Sequence, residues 1–441
     1  MGLLFTYGLT YGGAVVSLFN PFYGLLIYIC FAIIKPPALW HWSVPAGNYS
    51  RIIAIALLVG WALQGFGRWD LGRAALPLKC LIFSYCWAAI SGLLASDSNV
   101  AFAFIEAQTK IVLPVVVGAS LITTQKQLVQ LAWVMALSQG FVAYELNMSY
   151  FSGFNQLELY GFGSMDNNSA TIALVTGTGL AFFVGLSSSW VPLQLIAFAS
   201  AAFMTHAVFF SFSRGGMVAL IAVGVASVWI IPKQPKFIVL VALGVVGAAM
   251  MAGPEVLREF SSSFAEEEEL DWAAESRVHL WKIALKMTQE NPLLGVGPDH
   301  YPLHVHEYPT GLAEKPFFGK GKEAHSLWMQ QMAETGVPGV MALSLFYFFS
   351  AFGLYRVSTA MLREENSFWR FLPGMVLPSL TGFVVAAQFV SLEGLELPYY
   401  IALLGFAGLR VYGSLPESDE SQVDEFYFDD QPQHFEQALR V

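Results

Sequence analysis

Residues 168–186 read NSATIALVTGTGLAFFVGL, a stretch without a single ionisable side chain. Each helical residue rises about 1.5 Å, so such a run nearly crosses the ~30 Å hydrocarbon layer of a bilayer. Outward from it the same pattern recurs. Of 441 residues, 56% are hydrophobic and only 12% charged, against roughly 25% charged in soluble chains. A spanning segment must satisfy its own backbone hydrogen bonds, so apolar blocks of this length mean helices. The short alternating segments of a β-barrel are missing. The sequence therefore predicts an all-α, polytopic membrane helical bundle and excludes a soluble globular protein.

Spans are predicted at about 3–18, 22–37, 50–66, 77–95, 104–122, 128–148, 168–186, 192–211, 215–231, 236–252, 327–354, 371–391 and 396–412. Only Asn20-Pro21 separates the first two, so they count as one irregular element or two, giving 12 or 13 transmembrane helices. The start shows neither a basic n-region nor a small-residue cleavage site, so no signal peptide is expected. Lys and Arg collect in cytoplasmic loops. Arg68, Arg73 and Lys79 share one loop, Lys126 marks another, Lys233 and Lys236 a third, and Arg356, Arg363 and Arg370 a fourth. Counted through the spans, all four fall on one side, the cytoplasm of a cell inner membrane. The turn at 95–103, residues 149–166, the turn 211–214 and the long insert then face the periplasm. The expected organisation is 1–252 transmembrane, 253–325 a periplasmic helical loop, 326–412 transmembrane, and 413–441 an acidic cytoplasmic tail.

The insert carries seven Lys or Arg against thirteen Asp or Glu, a net-acidic module in water. Residues 274–290 read as an amphipathic helix with Val278, Trp281, Ala284, Leu285 and Thr288 on one face, stopped by Asn291-Pro292. Glu266 to Glu269 read as a solvated loop. Cys30, Cys80 and Cys86 all fall in predicted spans and read as small packing residues.

Chemistry is expected from polar residues at the periplasmic boundary. Arg214 follows Phe212-Ser213 and precedes Gly215-Gly216 where a span begins. A guanidinium, a helix N-terminus with Ser213 as N-cap, and two glycines open to a ligand suit an anion such as phosphate. An arginine that snorkels to headgroups is the plainer alternative. Arg277 lies near the start of the amphipathic helix and alone reads as a surface charge. His325 precedes the next span, where a helix N-terminus favours the neutral imidazole required of a general base; a structural role is equally open. Asp166, Asn167 and Asn168 begin another span, most simply as an N-cap. Glu106 and Lys110 are spaced i, i+4, with Lys110 a spare phosphate contact. His300, His304 and His306 lack a metal-ligand spacing, and no metal is expected there.

Three segments of this sequence resemble the O-antigen ligase and polymerase superfamily of bacterial membrane glycosyltransferases. They are Ser213-Arg214-Gly215-Gly216; Arg277-x3-Trp281 with Asn291-Pro292-Leu293-Leu294-Gly295-Val296-Gly297; and His325 with Glu334-Thr335-Gly336-x2-Gly339. Their order and the long insert match over roughly 205–345. The N-terminal third, with Asn20-Pro21-Phe22 and Lys35-Pro36-Pro37, looks like the branch linked to exosortase systems and named for O-glycosylation ligases. Relatives often carry Asn after the histidine, where this chain has Ser326.

The resemblance implies metal-independent transfer, without a cofactor, of a glycan from a polyprenyl-diphosphate carrier to the hydroxyl of a glycan, lipid or protein acceptor. It implies membrane lipid and no nucleic acid as partners. It gives Arg214 and Arg277 to the diphosphate and His325 to the acceptor proton; Gly215, Lys110 and Asn167, from their own positions, are expected as further substrate contacts. A polymerase of the same superfamily uses the same donor. The other class of reading is a secondary transporter or flippase of lipid-linked glycans, which would show internal repeats and midplane charges. No such repeat is evident, and the ionisable residues gather at one boundary.

Overall fold

Each of the thirteen predicted spans coincides with a helix in the computed structural model, which describes residues 2–251, 267–308, 320–391 and 394–415. We number the helices α1 Gly2–Phe19, α2 Pro21–Ile34, α3 Tyr49–Leu63, α4 Ala75–Leu93, α5 Ser98–Leu121, α6 Gln125–Phe151 and α7 Asn167–Ser187. The chain continues through α8 Val191–Phe210, α9 Arg214–Ile230, α10 Pro235–Met251, α11 Glu267–Glu290, α12 Leu327–Met361, α13 Ser367–Ala386 and α14 Glu396–Tyr412. Among the described residues, eight stretches are long and apolar enough to cross a membrane. The protein is an all-α, multi-pass membrane protein. Asn20 separates α1 from α2, its side chain accepting from Tyr23 N while Pro21 opens the new helix.

The centre is built from helices that are apolar on every side. Residues 169–181 of α7 and 397–411 of α14 are buried throughout, as expected of a helix surrounded by other helices. α7 packs on α13, α8 and α6, and α14 on α13, α12 and α5. One end of this core is closed by Arg410, whose guanidinium donates to the carbonyls of Ala119, at 2.7 Å, and of Arg68, at 3.1 Å. A buried cation at the carbonyl end of α5 is favourably placed against the helix dipole. The opposite end carries the polar residues of interest.

The insert departs from expectation in two respects. α11 begins at Glu267, so Glu267, Glu268 and Glu269 are helical rather than loop. Its buried face is Leu280, Ile283, Ala284, Met287 and Thr288, packed on Tyr301, Val305, Ala324 and Ala333, while Val278 and Leu285 are each over two-fifths exposed. The helix is thus rotated from the predicted face. Its partners are the helical turn at 301–305, the loop at Ala324 and the first turns of α12, and those contacts set the phase. Glu266 and nearly all of the predicted acidic tail lie outside the described residues.

Candidate active site

Three elements bring polar residues together at the end of the bundle opposite Arg410. The first is the start of α9. Ser213 is its N-cap: the hydroxyl accepts from Gly216 N at 3.2 Å and donates to Asn168 Oδ1 at 2.7 Å. Asn168 in turn donates to Asn167 Oδ1, and Asn167 Nδ2 donates to the Ser211 carbonyl at 3.0 Å. Asp166 caps α7 by accepting from Ser169 N at 2.8 Å. This polar ladder fixes the turn that aims Arg214. The room at the two glycines is taken by protein: a Cβ on Gly216 would meet Thr171, and one on Gly215 would come 3.0 Å from Phe389.

The second element is α11. Because the helix starts at Glu267, Arg277 sits in its middle rather than near its start. The Arg277 guanidinium lies 6.0 Å from the centroid of the Phe389 ring, within cation–π range. Burial, then the positive charge of Arg214, lower its pKa. A guanidinium remains charged under such a push, so both residues bring positive charge to this end of the bundle, as a site for a multivalent anion requires.

The third element precedes α12. His325 has a left-handed backbone, φ +51°, and Ser326 next to it caps α12 through Met329 N. Its neighbour is tied on both sides: the Ala324 carbonyl accepts from Trp281 Nε1 at 3.0 Å, and Ala324 N donates to Gln330 Oε1 at 3.2 Å. Trp281 lies one helical turn from Arg277, so α11 holds the histidine loop directly. Burial, then Arg277 and Lys322, lower the His325 pKa, and Asp166 pushes the other way. The neutral imidazole is favoured. Phe212, Asp299 and His325 all adopt positive φ, each at a cost of about 1–2 kcal/mol for a residue with a side chain. Such strain gathers where surrounding structure over-determines the backbone.

A carboxylate side to this site was missing from the sequence reading. Burial, then Asp166 and Asp299, raise the Glu323 pKa against Lys322; burial also raises that of Asp299, against His300. The polar run Lys320 to Glu323 just ahead of His325 was the available signal.

The family-like glycines and Glu334 form the buckle beneath. Gly336, at φ +69° and ψ −176°, breaks α12. The segment 292–297 fits against the break, Val296 N donating to the Ala333 carbonyl, Gly297 N to that of Glu334 and Val337 N to that of Pro292. Trp87 Nε1 lies 3.0 Å from the carbonyls of both Leu293 and Thr335. The fully buried Glu334 carboxylate accepts from Asp299 N at 2.8 Å and Tyr301 N at 3.0 Å. His300, also fully buried, accepts from Asp97 N at Nε2, so Nδ1 carries the proton and donates to the Pro298 carbonyl. His304 contacts Ser96 and Glu307. These histidines fasten the insert to the α4–α5 turn.

Lys110 lies elsewhere. It pairs with Glu106 at 3.2 Å as the spacing suggested, and both line a cavity between α2, α3, α4 and α5.

Residues 199–344, about a third of the chain, match the family model described as O-antigen ligase. All three segments that carried the resemblance fall inside this stretch, and the likeness to the O-antigen ligase superfamily holds. No curated protein matches the chain. The family match supports a glycosyltransferase activity of the O-antigen ligase or polymerase type, with a lipid-linked glycan and an acceptor as the general kind of partner.

Proposed function

We propose that this protein is a ligase that moves a glycan from a polyprenyl-diphosphate carrier to an acceptor hydroxyl on the periplasmic face of the inner membrane, without a metal. The observation that carries the reading is that the start of α9 with Arg214, the middle of α11 with Arg277 and the loop with His325 meet at one end of the bundle, joined through Phe389 and through the Trp281–Ala324 bond. Arg214 and Arg277 hold the diphosphate, and their charge opposes the negative charge that grows on it as the glycosidic bond breaks. The acceptor oxygen attacks the anomeric carbon from the face opposite the diphosphate. The new C–O bond forms, the electron pair of the old one leaves on the diphosphate, and the acceptor proton passes to the neutral His325 imidazole. The configuration at the anomeric carbon inverts.

Two further features support this assignment. A groove of about 570 Å³ between α12 and α13 is lined by Trp328, Tyr347, Phe348, Leu380 and Val384 and begins at Gln388, beside Phe389. It suits an isoprenoid tail whose diphosphate reaches the arginines. The basic loops, at the other end of the bundle, support the periplasmic side. Reconstitution with a polyprenyl-diphosphate glycan and candidate acceptors, with and without chelator, tests the proposal. Transfer is expected to resist chelator, to vanish in His325→Ala and to fall steeply in Arg214→Ala and Arg277→Ala. Full activity in all three variants refutes it.

A further inference from the structure

The cavity that holds Lys110 has the polarity of a lipid. Its wall is made by Tyr28 of α2, Tyr85 of α4, one face of α3 and one face of α5, and it encloses about 480 Å³, within the usual size of a ligand pocket. On α3, Ser50 and Arg51 stand above Ala54, Leu57 and Leu58; on α5, Glu106, Thr109 and Lys110 form a polar band below Phe102 and Ile105 and above Leu113, Pro114 and Val117. These polar residues are on the side that carries His325, because the turn leading into α5 bonds to the insert through Asp97 N and His300 Nε2.

The hydroxyls of Tyr28, Tyr85 and Thr109 in this cavity are already engaged. Pro114 has no N–H to give the Lys110 carbonyl four residues before it, and Tyr28 OH donates to that carbonyl instead, at 2.8 Å. Tyr85 OH and Thr109 Oγ1 pair with each other at 2.7 Å. What remains is a charge imbalance. Arg51 and Lys110 both bond to one oxygen of one carboxylate, Glu106 Oε1, at 2.6 and 3.2 Å. Two cations meet one anion, and the net charge of the cluster is positive. Arg51 comes from a helix that sequence spacing does not connect with Glu106. Ionisable residues within spanning helices ordinarily mark a binding site or pathway, and basic pockets between such helices on the cytoplasmic side take lipid headgroups; the same charge chemistry is available here at the opposite end.

We propose that this cavity binds one anionic glycerophospholipid, its monoanionic phosphodiester between Arg51 and Lys110 and an acyl chain along Leu57, Leu58, Leu113 and Val117. The single excess positive charge matches a singly charged diester. The site is separate from the groove between α12 and α13 and stands whether or not the Arg214 site transfers glycans.

Native mass spectrometry of the full chain tests this, after purification in mild detergent from membranes of mixed anionic and zwitterionic phospholipids. The wild type is expected to retain an anionic phospholipid. The double variant Arg51→Gln/Lys110→Gln is expected to lose at least tenfold of it, while Arg214→Ala keeps it. Ala54→Trp, which fills the cavity without touching its charges, should also lose it, with a monodisperse size-exclusion profile confirming that both variants fold. Retention of zwitterionic lipid alone, no retained lipid, undiminished retention in the double variant, or equal loss in Arg214→Ala each overturns the proposal.

Discussion

Replacing Glu334 by Gln tests the account of the site's foundation. Glu334 is fully buried, and its two oxygens each accept one backbone N–H, from Asp299 and from Tyr301. A glutamine of the same shape keeps one acceptor oxygen and points an NH2 at the other donor. One charged hydrogen bond is lost and its N–H is left buried without an acceptor, which costs about 1.5–3 kcal/mol. Global unfolding reports this poorly. At about 2.1 cal/mol/K of unfolding entropy per residue, a chain of this size moves its Tm by only ~1 °C per kcal/mol.

The loss is local, so the measurement should be local too. Opening of the 298–304 segment breaks these two bonds first, and exchange of its amides follows the opening free energy. At about 1.4 kcal/mol per factor of ten, Glu334→Gln should speed hydrogen–deuterium exchange there by roughly 10- to 150-fold. Peptides from α7 and α14 should be unchanged. Mass spectrometry resolves a change of this size. Exchange in residues 298–304 that matches the wild type would refute the claim that Glu334 anchors this segment.

Three other outcomes follow from the same geometry. His325 acts as base when neutral, so transfer should fall as pH drops through its lowered pKa; Lys322→Met removes a repelling charge and should move that acidic limb up, while Asp166→Asn should move it down, as read from pH–rate profiles. Gly336→Ala puts a Cβ 2.3 Å from the Leu293 carbonyl on a backbone at φ +69°, so a loss of at least ~2 kcal/mol is expected, visible as poor folded yield on size exclusion. Trp281→Phe deletes the indole bond to Ala324, worth about 1 kcal/mol; turnover should fall about fivefold with the donor KM little changed, and an unaltered rate would show that this bond does not position His325.

Much of this was legible in the chain. Apolar blocks located a helix at every predicted span because a bilayer imposes one length on such blocks, and Ser213 and Asp166 announced themselves as caps because capping is decided within three residues. What needed distant partners was not. The face of α11 depended on Tyr301, Val305 and Ala324, so an amphipathic pattern read alone gave the wrong phase. Glu334 stood only within a family-like segment, and its two backbone donors, more than thirty residues away, gave it a task. Arg51 carried no signal, since the carboxylate it shares with Lys110 is on another helix.

The three site residues are also linked to one another by a closed circuit of contacts. Gly215 leaves room for Phe389, and the Arg277 guanidinium lies over the same ring. Two residues before Phe389, the Ala387 carbonyl accepts from Leu327 N at the start of α12. Three residues before Leu327, the Ala324 carbonyl accepts from Trp281 on α11, and α11 carries Arg277. The circuit therefore runs from α9 through the end of α13 to α12 and α11, and returns to the ring from which it started. In a chain whose core is apolar and without directional preference, such a loop of specific contacts is what sets positions to fractions of an ångström. The strained backbone of His325 lies between two members of this circuit, Ala324 and Leu327, and that of Asp299 is held from outside it by Glu334. The bundle supplies the place, and this circuit supplies the geometry.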